Sequence, residues 1–102
     1  MKTTTEVGVD VRRMKRPPSR PGEILFEEFL LPLGISQAAA ARRMGISMNR
    51  LNELARGKRG ITAQTALRLA RLLGTSPEFW LNLQMAVDLW NAHQAERRRG
   101  AA

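Results

Sequence analysis

The stretch that decides the fold is 36-SQAAAARRMGISMNRLNELARGKRG-60. It contains two short helical segments joined by a turn that contains Gly45. Ser36 and Ser47 stand where helix N-caps belong, and Gly45 and Gly57 stand where the two helices end. Two short helices with such a turn between them predict a helix-turn-helix.

The residue types at fixed offsets distinguish this motif from an ordinary helical hairpin. Ala41 is small, so the two helices can approach closely, and Gly45 can adopt the positive φ that the turn requires. The positions that hold the second helix against the first are all apolar, namely Ala40, Met44, Ile46, Leu51 and Leu54. A generic hairpin in a bundle would share the apolar spacing, but it need not have both the small residue and the glycine.

The flanking sequence predicts three more helices and no sheet, because no run of alternating β-branched residues occurs. Pro32 and Gly34 are expected to stop the first helix, and the dipeptide Ser76-Pro77 is a helix start signal for the last one. The five predicted helices are about 22–31, 37–44, 48–56, 63–73 and 76–95. The fold class is therefore all-α, with a domain at 21–94.

Charge is concentrated in three parts of the chain. The 17 Lys and Arg exceed the 9 Asp and Glu by eight, which suggests a polyanionic partner. Residues 1–22 carry a net +4 and residues 95–102 a net +2, whereas residues 36–60 carry +5. We expect flexible basic tails at 1–20 and 95–102, and the informative charge within 36–60.

Composition excludes several classes of protein. Cysteine is absent and His93 is the only histidine, so disulfide frameworks, thiolate zinc sites and cysteine nucleophiles are excluded. No paired carboxylates stand at a plausible site, so we expect neither an enzyme nor a cofactor, metal or small-molecule substrate. No 18-residue apolar run and no secretory leader are present, so we expect a cytoplasmic protein without a membrane partner.

Longer landmarks carry a resemblance to a known family. Residues 36–57 resemble the Cro/C1-type (XRE) helix-turn-helix family. Pro-Gly-Glu at 21–23, Gly-Lys-Arg-Gly-Ile-Thr at 57–62 and Ser-Pro-Glu-Phe-Trp-Leu-Asn-Leu-Gln at 76–84 resemble its HigA/VapI branch of antitoxins. The resemblance covers about 70 of 102 residues. It implies a five-helix, lambda-repressor-like fold, dimeric binding to operator DNA with repression of the chain's own operon, and neutralisation of an mRNA-cleaving, HigB-like toxin.

In a helix-turn-helix the second helix lies in the major groove, with its N-terminal residues at the base edges. Asn49 or Asn52 could hydrogen-bond adenine, and Met48 could contact a thymine methyl. Gln37 matches the family position that contacts phosphate and braces the base-reading residues. The predicted DNA-contacting residues are Gln37, Ser47, Met48, Asn49, Arg50, Asn52, Lys58, Arg59 and Thr62.

The other charged residues near the motif have weaker predicted roles. Arg50, just off the groove-facing set, is expected to reach a phosphate or a guanine. Glu53 is either a bystander near phosphate or an acceptor for cytosine, and we favour the bystander. Arg43, Arg68 and Arg71 are expected to be surface groups.

The last predicted helix carries two apolar stripes. At 100° per residue one broad face contains Phe79, Trp80, Leu83, Ala86, Val87 and Trp90, and it should pack on the core. A second stripe contains Leu81, Met85 and Leu89, with Trp90 at its edge, and a monomer has little reason for it. We predict that this stripe forms a two-fold dimer contact; the alternative is cover by a tail or loop.

The sequence allows alternatives for two further features, the role of two apolar residues in the first helix and the function of the chain. Phe26 and Leu31 lie off the main stripe of the first helix and are either a partner-binding patch or local core variation. The function itself has two alternatives: a helix-turn-helix regulator without a toxin, and an interaction or membrane-surface protein that uses the basic tails.

Overall fold

A computed structural model of the chain describes residues 10–100. A 3-10 turn, Val11–Arg13, precedes five helices, and no strand occurs within these residues. The helices are α1 Pro21–Leu33, α2 Gln37–Met44, α3 Met48–Ala55, α4 Ala63–Leu73 and α5 Pro77–Gly100. The prediction of an all-α fold with five helices is confirmed.

Helices α2, α3 and α4 begin at the residues that the sequence indicates. The Ser36 hydroxyl accepts the Ala39 N–H at 3.1 Å, and the Ser47 hydroxyl accepts the Arg50 N–H at 3.0 Å. Helix α2 ends at Gly45, whose φ of 72° lies in the left-handed region. These ends are local signals, since each depends on residues within one helical turn.

Helix α1 does not stop at Pro32, so that part of the prediction is wrong. The helix consists of a first turn Pro21–Ile24, a π-helical segment Leu25–Leu30 and a last turn Leu31–Leu33. Within it the Leu31 N–H donates to the carbonyl of Phe26, five residues earlier. Proline has no N–H to donate to the carbonyl four residues earlier, as an α-helix requires. The wider π-helical turn before Pro32 bonds residues five apart and so accommodates the missing donor. The helix therefore continues to Gly34.

Within residues 10–100, parts of both predicted tails are helical or packed on the domain. Helix α5 continues through Arg97, Arg98 and Arg99 to Gly100, because alanine, glutamate and arginine favour a helix and a basic last turn complements its dipole. At the other end Val11 is buried against α5, so the expected flexible tail does not include the residues around it. The remaining parts of both predicted tails, 1–9 and 101–102, lie outside the described residues.

The core lies between all five helices. Its largest member is Trp80, fully buried, whose ring lies 5.4 Å from that of Phe29 and whose indole N–H donates to the Thr75 hydroxyl at 2.6 Å. Of the predicted core face of α5 only Trp80 is buried; the rest is partly exposed. The buried apolar core residues are Leu25, Leu30, Ala40, Ala41, Met44, Leu51, Leu54, Ile61, Ala66, Leu69 and Trp80.

Within residues 10–100 no single helix is long and apolar enough to cross a membrane. Only α1 and α2 taken together reach the necessary length and apolar content, and the chain bends by 107° between them. Both helices contribute buried residues to the core.

The backbone of the first turn of α1 approaches the end of α3 closely. A Cβ atom on Gly22 would collide with the Leu54 carbonyl oxygen and would lie 2.9 Å from the Ala55 Cα. Both of these are backbone atoms, so relief requires the two helices to separate. The first turn of α1 thus needs a glycine at this position.

Gly22→Ala should therefore destabilise the protein by about 1–3 kcal/mol, as overpacking typically does. Helix propensity alone predicts the opposite sign, a gain of roughly 1 kcal/mol. Urea denaturation of the variant measures the difference. Gly100→Ala, where an added Cβ meets nothing within 4 Å, is the control. A Gly22→Ala variant at least as stable as the parent would contradict the close approach.

Candidate nucleic-acid interface

Helix α3 separates an apolar face from a polar one. Leu51 and Leu54 are 0% and 2% exposed and hold the helix on the core. Met48, Asn49 and Asn52, which the sequence predicts as base-reading residues, are all exposed. The side that faces away from the core therefore carries two amides and one thioether, the groups expected to meet base edges in a major groove.

The structure leaves most of the predicted DNA-contacting residues accessible. The exposed ones are Gln37, Ser47, Met48, Asn49, Asn52, Lys58, Arg59 and Thr62. Arg50 differs, because it is partly buried and its guanidinium lies 3.5 Å from the Thr65 hydroxyl, near the start of α4. Its Nε is buried and has no hydrogen-bond partner within the described residues. The contact of Arg50 with DNA stays a prediction.

Glu53 forms an ion pair, a role that the sequence did not indicate. Its Oε1 accepts from Arg59 Nε at 3.0 Å and lies 3.0 Å from the Arg59 Nη2. The pair joins α3 to the loop of residues 57–62 that follows it. Arg59 is thereby held beside the exposed face of α3.

Two further contacts fix this loop. The Ile61 N–H donates to Gln84 Oε1 of α5 at 2.8 Å, while the Gln84 amide donates to Asp88 Oδ1 at 2.9 Å. The Arg20 side chain lies against Gly57, where an added Cβ would be 2.9 Å from its Nη1. Sequence reasoning missed the Ile61–Gln84 and Arg20–Gly57 contacts because each joins residues more than 20 positions apart.

Arg68 of α4 anchors the turn of the helix-turn-helix. Its Nη1 donates to the carbonyl of Met44 and lies 3.5 Å from that of Gly45. The last carbonyls of a helix have no partner within the helix, so this guanidinium satisfies the end of α2. The expectation that Arg68 is a plain surface group was wrong. The only sequence signal for this contact was that the last carbonyls of α2 need a hydrogen-bond donor from outside the helix.

The predicted dimer stripe on α5 is partly accessible. Met85 and Leu89 are 54% and 51% exposed, whereas Leu81 packs partly on the core and Trp90 is partly buried. Val11 lies beside Leu89, so the 3-10 turn covers one end of the stripe and leaves the rest open. Elsewhere, Leu31 at the end of α1 is 78% exposed, and Phe26 packs against the core.

Comparison with known proteins agrees with this arrangement. A helix-turn-helix family model matches residues 26–80. The chain is 46% identical over 88 residues to virulence-associated protein I of Dichelobacter nodosus, covering 86% of this chain and 82% of that protein. It is also 46% identical over 91 residues to antitoxin HigA-1 of Vibrio cholerae, covering 86% of each.

A solved structure is similar over the same region. The Pseudomonas aeruginosa antitoxin HigA with the higBA promoter superposes with a TM-score of 0.76 at 44% identity, covering 80% of this chain and 89% of that one. Fold, motif and sequence therefore agree with the resemblance to the Cro/C1-type family and its HigA/VapI branch. The chain belongs to the XRE-type helix-turn-helix family, in the group that contains the HigA antitoxins and virulence-associated protein I.

Proposed function

We propose that this chain is an operator-binding antitoxin of a type II toxin–antitoxin system. It represses its own operon and neutralises a HigB-like toxin that cleaves mRNA. The observation that carries the proposal is helix α3, seated on the core by Leu51 and Leu54 with its amide-bearing side exposed. The similarity to an antitoxin solved with its promoter supports it. The chain acts by binding, without catalysis or a cofactor, and in the cytoplasm, where its DNA is.

Recognition divides into base reading and backbone positioning. Asn49 and Asn52 supply the donor and acceptor pair that adenine requires in the major groove, and Met48 offers an apolar contact to a thymine methyl. We assign phosphate contacts to Gln37 and to the first amides of α2 and α4, because helix N-termini bind anions. Lys58 and Arg59 add positive charge from the loop after α3.

Dimer formation through α5 would place two such faces on one DNA duplex. The open part of the stripe, with Met85 and Leu89 half exposed, is the surface that a second copy would cover. A two-fold dimer suits a palindromic site, with recognition helices roughly 34 Å apart. We therefore assign the dimer contact to Leu81, Met85, Leu89 and Trp90.

The two classes of DNA contact should respond differently to substitution. Asn49→Ala should cost about 1–3 kcal/mol of discrimination between the operator and random DNA, because it removes a base contact. Arg59→Ala should weaken binding to both DNAs alike and lower the salt slope by about 0.9. Fluorescence anisotropy with promoter and random duplexes over a salt series measures both quantities. Equal losses on both duplexes for Asn49→Ala would show that this residue does not read bases.

The dimer contact is tested by Leu89→Glu, which places a charge in the apolar interface. We expect the dimer to dissociate to a monomer at micromolar concentration and the affinity for the palindromic site to fall. Sedimentation velocity measures the mass. Leu67→Glu on α4, a residue 53% exposed, is the matched control and should stay dimeric. A monomeric parent protein would contradict the interface.

The toxin partner is tested by co-expression with the neighbouring reading frame. We expect a stable complex that suppresses mRNA cleavage by the neighbour and that binds the promoter. Specific promoter binding with no complex would favour a regulator without a toxin. Lipid binding that survives deletion of residues 36–60, in the absence of DNA binding, would favour a membrane-surface role and contradict the proposal.

A further inference from the structure

The basic segment before α1 is held in place at its amino end by the 3-10 turn. Val11 is 7% exposed and lies against α5 beside Leu89 and His93. Asp10 caps the turn by accepting the Arg12 N–H at 3.0 Å and the Arg12 guanidinium at 2.9 Å. These hydrogen bonds with Arg12 lower the pKa of Asp10 to about 2, because they stabilise the charged carboxylate.

The segment is held at its carboxyl end by the start of α1. The Arg20 N–H donates to Glu23 Oε1 at 2.9 Å, and Pro21 and Gly22 are buried. Between the two ends Pro17 and Pro18 fix φ and lack an N–H. The segment 14–20 therefore follows a defined path along the surface.

This path carries positive charge that is only partly neutralised within residues 10–100, where Arg20 Nε lies 3.7 Å from Glu23 Oε1. Lys15 and Arg16 are exposed, and no acidic residue occurs between positions 10 and 23. Among residues 10–100 neither side chain has a carboxylate within ion-pair distance, whereas Arg12 and Arg13 are paired with Asp10. Two cations are thus displayed on a backbone that is already ordered.

The carboxyl end of the segment lies beside the loop of residues 57–62, which follows α3. Arg20 lies against Gly57, and it lines one groove together with Lys58 and Arg59. Asp88, whose carboxylate accepts a hydrogen bond from Gln84, also lines this groove, where the three cations outnumber it. The groove therefore joins the basic segment to the loop that the family resemblance places near phosphate.

We propose that Lys15, Arg16 and Arg20 contact the phosphate backbone of duplex DNA outside the major groove, as an arm that continues the Lys58–Arg59 loop. The arm carries no base-reading geometry, so its ligand is the backbone irrespective of sequence. The six residues from Lys15 to Arg20 span at most about 20 Å when extended. That length is enough to follow several phosphates along one DNA strand. The inference rests on the proposed DNA binding by the helix-turn-helix and adds a second contact to it.

The test is the double variant Lys15→Gln/Arg16→Gln. Two lost phosphate contacts should lower the slope of log affinity against log salt by about 1.8, since each contributes about 0.9. The fall in affinity between about 50 and about 200 mM salt should then be roughly tenfold smaller. The loss at low salt should be the same factor on the promoter duplex and on a random duplex of equal length. The salt slope and the loss of affinity are both measured with the full chain. Thermal denaturation verifies that the variant is folded.

The matched control is Arg43→Gln/Arg71→Gln, which removes the same charge from exposed residues at the far ends of α2 and α4. An unchanged slope in the arm variant, or an equal change in the control, would overturn the proposal. The random duplex needs no operator, so the arm is tested even if the parent shows no preference for the promoter. That last outcome would overturn the proposed operator binding and leave the slope comparison intact.

Discussion

The orientation of α3 depends on the close approach of α1 to its carboxyl end. A helix of eight residues is too short to be stable alone, so its position is determined by the surfaces that it touches. Leu51 and Leu54 seat it on the core, and Gly22 lets the α1 backbone approach the Leu54 carbonyl. From the other side Arg68 of α4 anchors the turn that leads into α3. The orientation of the exposed face of α3 is therefore a property of the whole domain, because α1, α4 and the shared core all fix this helix.

The same region connects the loop of residues 57–62 to the rest of the chain. The first turn of α1 follows Arg20, which lies against Gly57, and Gln84 of α5 holds the Ile61 N–H at the end of the same loop. Gln84 lies on the helix that carries Met85 and Leu89. A displacement of α5 by a partner would move the acceptor of that hydrogen bond. The loop and the exposed stripe of α5 are thus joined by one contact at 2.8 Å.

The sequence predicts those features of the structure that depend on neighbouring residues, and it misses those that depend on residues far apart in the chain. The ends of α2, α3 and α4 follow from caps and glycines within one turn, and the sequence placed all three. The continuation of α1 past Pro32 depends on a π-helical pattern that no short motif encodes, and the burial of Val11 depends on a helix about 80 positions away. Of the site, the exposed face of α3 followed from its apolar periodicity. The roles of Arg68 and Glu53 did not, because their partners are brought together only by the fold.

The Glu53–Arg59 pair shows why a carboxylate can stand beside a DNA-binding face. Both side chains remain accessible, at 35% and 50%, so the pair contributes little to stability, about 0–1 kcal/mol. If Arg59 binds phosphate as proposed, exchanging the Glu53 carboxylate for a phosphate therefore costs little free energy. In the absence of DNA the carboxylate holds the guanidinium beside α3, so a long side chain loses less conformational entropy on binding. Glu53 is the one acidic residue within 36–60 and lowers the net charge of that stretch. Locally, however, it positions the guanidinium of Arg59.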